Sequence, residues 1–144
     1  MDDRDAIEAL LMTYAERVDG GDFAGAARYS STAPGWSRRS GPDSAVRGSA
    51  AVQDLFERVT RVYGDGTPRT KDVISNVIIE IDGETATSRC YLTLFQQTDV
   101  LPLQPILVGR YHDRFEKVDG AWRFVERQVL GDLVGDLSQH KLGD

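Results

Sequence analysis

Residues 73–97, VISNVIIEIDGETATSRCYLTLFQQ, decide the fold class. Apolar residues recur there with a period of two, the signature of a strand rather than a helix. Val73, Ser75, Val77, Ile79 and Ile81 fall on one face and Ile74, Asn76 and Ile78 on the other, so both faces are expected to be at least partly covered. Asp82-Gly83 is a hairpin signal, because a type I′ turn needs positive φ at both central residues. The chain returns through 85–97, rich in Thr, Tyr, Leu and Phe. A connection holding Pro102 and Pro105 follows, and 106–117 and 121–130 then flank Asp119-Gly120 as a second hairpin. Residues 131–144 are rich in Gly and Asp and are expected to fray, although Leu130, Leu133, Val134 and Leu137 offer a way to dock them over a pocket mouth or a partner.

Upstream the period is helical. Ile7, Leu10, Leu11, Tyr14 and Val18 line one face of a helix over 3–18, capped by Asp2 or Asp3 and stopped by Gly20-Gly21. A short helix over 22–30, capped by Asp22, presents Phe23, Ala26 and Ala27. Residues 31–48 are irregular and form at most a short hairpin, with Trp36 on one arm and Val46 on the other. Ser49 then caps a third helix, 50–63, facing inward with Val52, Leu55, Phe56, Val59 and Tyr63 and ended by Gly64, Gly66 and Pro68. Helices followed by hairpins make an α+β domain, with the helices on one face of an antiparallel sheet. The expected organisation is one domain over 1–130 and a C-terminal tail over 131–144. A bent sheet half-closed around a helix leaves a cavity between them, the default ligand site.

Composition narrows the chemistry. The 144 residues hold 17 Lys+Arg and 23 Asp+Glu, a net charge of −6. That balance disfavours nucleic acid, whose phosphates need a cationic face. A single cysteine, Cys90, allows no internal disulfide and no cysteine-based zinc cluster. Two histidines, His112 and His140, argue against a multi-histidine metal centre. No apolar run is long enough for a membrane span, and the acidic start Met-Asp-Asp-Arg-Asp is not a signal peptide. The expectation is a cytoplasmic protein without metal or cofactor, whose chemistry rests on Asp, Glu, Arg, Tyr and a lone His. There is no Gly-rich phosphate loop and no Ser–His–Asp set.

Four segments carry a resemblance. They are Ala6–Leu10 through Tyr14 and Asp19 to Gly21-Asp22-Phe23; Val46-Arg47-Gly48-Ser49-Ala50-Ala51-Val52; Thr70 through Ser75-Asn76-Val77 with Asp82-Gly83 and Ala86; and Gly109-Arg110-Tyr111-His112-Asp113 with Asp119-Gly120-Ala121-Trp122-Arg123-Phe124 and Arg127. In this order they resemble the SnoaL-like members of the nuclear transport factor 2-like superfamily. The resemblance implies a cone-shaped α+β barrel, in which three N-terminal helices pack in a strongly curved antiparallel sheet around an apolar pocket. It also implies a homodimer formed through the sheet. Dehydratase and dehydrochlorinase members carry a pocket Asp, matched by Asp19, and an Arg on the last strand, matched by Arg127. Tyr14 matches the dehydratase pattern. Their catalytic His falls at Asp72, four residues before Asn76, so this chain departs from the pattern at the base. The same fold also serves non-catalytic subunits of ring-hydroxylating dioxygenases, so the fold alone does not settle the activity.

Each candidate has a plainer alternative. Asp19 lies about 140° around the helix from Tyr14; it is either a solvated C-terminal residue or a pocket carboxylate. Asp72, after Arg69 and Lys71, is a polar strand-entry residue or a pocket carboxylate standing in for the family's His. Two close carboxylates split their titrations into one donor and one acceptor. By strict alternation Arg127 shares a face with Val125 and Val129, opposite Trp122 and Phe124. It either pairs with Asp19, Asp72 or Asp113, or anchors a substrate oxyanion. His112, between Arg110 and Arg114, faces solvent or is a pocket imidazole. Tyr91 is half-buried or a pocket hydrogen-bond donor. Trp36 and Asp113 complete the expected pocket, Trp122 is core or interface, and Cys90 is a packed thiol. The favoured function is a cofactor-independent lyase, cyclase or isomerase acting on a small, apolar, oxygen-bearing substrate. The alternatives are a non-catalytic ligand-binding or structural subunit and an epoxide-opening hydrolase.

Overall fold

In the structure, a computed structural model, residues 1–30, 34–37 and 46–142 are described, with 34–37 and 46–48 described by backbone alone. Helix α1 (Asp3–Asp19) starts where the Asp2 carboxylate accepts the Asp5 N–H, and it buries Ile7, Leu10, Leu11, Tyr14 and Ala15. Acids in its first turn suit the helix dipole. Helix α2 (Phe23–Ala27) is capped by Asp22. Strands β1 (Pro34–Ser37) and β2 (Val46–Arg47) pair antiparallel, with Trp36 opposite Val46 as the sequence suggests. Helix α3 (Gly48–Val59) ends four residues earlier than expected. Thr60 leaves the helix to pair with Lys141, so the missing turn is replaced by a bridge to the chain end.

Strands β3 (Thr70–Asp82), β4 (Thr85–Gln96), β5 (Gln104–Val118) and β6 (Ala121–Val134) form two hairpins. The sheet order is β2-β1-β6-β5-β4-β3, antiparallel except where β1 runs parallel to β6. It is an α+β cone whose sheet stays open, with β2 and β3 as its edges, rather than a closed barrel. At the second hairpin Asp119 and Gly120 both take positive φ, as a type I′ turn requires. At the first, Asp82 pairs with Thr85 and Gly83 alone takes positive φ in the two-residue loop. That is the type II′ pattern, one residue further on than the sequence suggests.

Bulges correct two of the expected faces. In β3 the register with β4 breaks between Ser75 and Ile78, where Asn76 takes φ 54°. A bulge adds one residue and swaps the faces beyond it. Thr70, Asp72 and Ile74 therefore point inward before it and Val77 and Ile79 after it, while Val73 and Ile78 are exposed. In β6 a register shift between Arg114 and Phe115 of β5 has the same effect. Trp122, Phe124, Arg127 and Val129 all face inward, so Arg127 joins the aromatic face instead of opposing it.

The core has two parts. One packs α1 against Phe115, Trp122 and Phe124 of β5 and β6, with Ala26, Ala27 and Val52. The other joins Leu92, Leu94, Leu101, Ile106 and Tyr111, with Leu137 of the tail against them. The tail up to Leu142 is therefore not frayed: β6 runs on to Val134, and the chain then turns back so that Lys141 bridges to Thr60.

Candidate active site

Between α1, α3 and the inner sheet lies a cavity of about 100 Å³. Val18 of α1, Leu55, Phe56 and Val59 of α3, and Leu92, Leu94, Leu107 and Val129 of the sheet form its apolar wall. Tyr14, Asp19, Thr60, Thr70, Asp72, Tyr111, Arg127 and His140 supply its polar groups. Tyr14 arrives on the buried stripe of α1. Asp19, off that stripe, reaches the cavity because the helix ends there and its carboxylate meets β3. It accepts the Asp72 backbone N–H at 3.0 and 3.2 Å, and the Thr70 hydroxyl at 3.3 Å.

The Asp72 carboxyl sits above Tyr111, whose hydroxyl donates to Oδ2 at 2.6 Å. Its Oδ1 is buried and accepts no hydrogen bond from any described residue. A buried acceptor left without a donor is costly and rare, and it marks a position where a ligand group can be accommodated. Arg127 stands beside this pair, its guanidinium 3.7 Å from the Tyr111 ring centre and 5.1 Å from that of Tyr14. It is only 2% exposed, and the carboxylate of Asp113, its direct cross-strand partner, grips it at 2.8 and 3.0 Å. Of the alternatives open to Arg127, the ion pair is therefore made, and with Asp113. Asp113 itself lies behind Arg127 rather than on the cavity wall.

Burial sets the electrostatics. It raises the carboxyl of Asp19 to about 6, with the Asp72 charge adding to the effect and the Asp72 N–H opposing it. Burial also pushes Asp72 up, against the Tyr111 hydrogen bond and the Arg127 charge. Tyr14 and Tyr111 are held well above the ordinary phenol value, again by burial, and stay protonated. Burial works against the charge of Arg127, but the Asp113 carboxylate outweighs it and the guanidinium stays charged. Two carboxyl groups with raised pKa, two neutral phenols and one paired cation thus surround an apolar space. This set can move protons near neutrality.

Besides Asp113, three expected pocket residues fall elsewhere or outside the described residues. Tyr91 is 51% exposed on the outer face of β4, because Ala86, Ser88, Cys90, Leu92, Leu94 and Gln96 take the inner face. His112 also points outward, beside a shallow groove with Arg89, Arg114 and Glu126. The side chain of Trp36 lies outside the described residues; its backbone pairs with that of Arg127. Burial pushes the Cys90 thiol up to about 12, in keeping with a packed, unreactive group. Four polar lining residues, Thr60, Thr70, Tyr111 and His140, had no assigned role in the sequence reading. Tyr111 was accessible to it, since alternation puts Tyr111, Asp113 and Phe115 on one face. Thr60 and His140 carried no local signal, because tertiary contacts alone bring them together.

A family model described as a SnoaL-like domain matches residues 1–128, nearly the whole chain. The chain belongs to the SnoaL-like family. Solved structures share the SnoaL-like fold. A Novosphingobium aromaticivorans protein provisionally named scytalone dehydratase superimposes with a TM-score of 0.74 at 23% identity, over 92% of this chain and 86% of that one. ActVI-ORFA of Streptomyces coelicolor gives 0.70 at 16% identity, over 90% and 97%. An Asp-to-Asn variant of Rv3472 from Mycobacterium tuberculosis, of unknown function, gives 0.70 at 24% identity, over 90% and 71%. No curated protein matches the SnoaL-like chain significantly in sequence. At these identities the structural likeness establishes the fold, and the residues around the cavity must carry the chemistry.

Proposed function

We propose that this SnoaL-like protein is a cofactor-independent lyase, cyclase or isomerase of the dehydratase kind. Its substrate is small, mostly apolar and oxygen-bearing. The observation that carries this reading is the buried Oδ1 of Asp72, without a hydrogen-bond donor among the described residues, in a mostly apolar cavity. Tyr111 fixes the other oxygen and so aims Oδ1. Asp72 takes a proton from carbon next to a substrate carbonyl. Negative charge then develops on the carbonyl oxygen, where the Arg127 guanidinium and the Tyr14 hydroxyl can stabilise it. Asp19, half-buried and joined to the Asp72 backbone, exchanges the proton with solvent.

The test needs no natural substrate. 3-Hydroxycyclohexanone offers an acidic C–H, a carbonyl and a leaving hydroxyl on one ring. In D2O the protein is expected to exchange its α-protons and release water to give the enone, both followed by NMR. Asp72→Asn is expected to slow exchange at least tenfold. Unchanged exchange in both Asp72→Asn and Asp19→Asn would end the proposal. Binding of the probe with no exchange would favour the non-catalytic alternative. We further propose a homodimer through the outer sheet face, where Val73, Ile78 and Tyr91 are exposed.

A further inference from the structure

We propose that His140, carried by the C-terminal segment, is a catalytic residue of this cavity that donates a proton to the leaving oxygen. The proposal rests on the cavity being the site argued above. Residue 140 lies beyond the region that the family model matches, and yet it lines the cavity with Asp19, Asp72 and Arg127, with its Nδ1 buried.

The segment is held on both sides of this residue. Gly135 donates its N–H to Ile106 at 2.8 Å, and Leu137 packs on the second core cluster. The Gln139 carbonyl accepts from the Tyr63 hydroxyl and, at 3.2 Å, from Gln96 Nε2. The His140 carbonyl accepts the Arg61 N–H at 2.9 Å, and Leu142 donates to Val59 at 3.0 Å. Ordering a chain end costs conformational entropy. Here backbone and side-chain bonds from α3, the loop after it and β4 meet that cost over a few residues centred on the histidine. The histidine thus stands at the cavity wall on a fixed backbone.

The other lining groups are suited to different tasks. Tyr14 and Tyr111 are phenols held in their neutral form, and Arg127 is committed to Asp113. Asp72 accepts a proton. An imidazole nitrogen can carry a proton to a leaving group. In the elimination, Asp72 takes the proton from carbon and that C–H electron pair is held as the enolate, then becomes the new C=C bond as the carbonyl re-forms. The C–O bond breaks with its pair on oxygen, the His140 imidazolium gives that oxygen a proton, and water leaves. Protonated Asp72 and neutral His140 remain and are reset by exchange with solvent.

The chain's two histidines make the test direct. Imidazole NMR of the full chain gives one signal from His140 and one from His112, assigned with His112→Gln. Titration with 3-hydroxycyclohexanone is expected to move the His140 signal and leave His112, on the outer face, in place. If the probe moves the methyl signals of Leu92, Leu94 and Val129 but not His140, this proposal fails and the cavity reading stands. If it moves none of them, the cavity reading fails and takes this proposal with it. A kinetic arm separates catalysis from support. His140→Gln is expected to retain α-proton exchange in D2O while losing at least tenfold in water release. Equal loss of both steps, or loss of neither, would overturn the proposal.

Discussion

Arg127 shows how burial turns a charge into a structural commitment. Its partner Asp113 is as buried as it is, so neither charge can be left alone. Arg127→Met strands the Asp113 carboxylate and is expected to cost about 3–5 kcal/mol in urea unfolding. Combining it with Asp113→Leu removes both charges and should recover most of that loss; a double variant as unstable as the single one contradicts this account. Asp19 sets a dependence on pH. Its carboxyl titrates near 3.8 when unfolded and at about 6 in the fold, so the folded chain holds the proton more tightly. The stability from this group is complete below the unfolded value and is lost as pH rises through about 6. Asp72, raised by burial, acts in the same direction. The contribution of Asp19 to the unfolding free energy is thus expected to fall between about pH 4 and pH 6, and Asp19→Asn should flatten the fall. An unchanged slope in the variant would show that another group governs it.

At the scale of elements, the bulges decide which side chains reach the cavity. Asn76 sits at φ 54° in the β3 bulge, a conformation that Asn tolerates and a β-branched residue resists. Asn76→Val is expected to cost about 1–2 kcal/mol, while Asn76→Gly should be close to neutral. Thermal unfolding of the pair checks this; equal midpoints would mean that the bulge does not depend on its residue. Gly109 has a related role on β5. A Cβ there would lie 2.1 Å from the Leu130 carbonyl oxygen, so only glycine lets β5 and β6 approach at their register shift. The inward positions of Tyr111 on β5 and Val129 on β6 follow next to that close approach.

The whole molecule adds what no single element holds. Its outer face keeps Val73, Ile78 and Tyr91 in water, an arrangement suited to a second copy. Sedimentation is expected to show a dimer, and Tyr91→Glu should shift it toward monomer. A wild-type chain that sediments as a monomer throughout would remove the proposed dimer.

Much of this protein was legible in one dimension. The period-two runs, the Asp119-Gly120 turn and the helical stripe of α1 depend on near neighbours, so they fix the α+β class, the hairpins and the placement of Tyr14. Arg127 stood out as a charge on an apolar strand face, and Asp72 because it falls where the resembled lyases carry their His. What the sequence left open was decided by contacts between residues far apart. Bulges at Asn76 and beside Phe115 shift the phase of β3 and β6, and that choice depends on register with the neighbouring strand. Arg127 took Asp113 over Asp19 or Asp72 because strand pairing sets those two directly opposite each other. His140 reaches the cavity only because Arg61, Tyr63 and Gln96 hold the chain end there, and no local periodicity encodes such a contact.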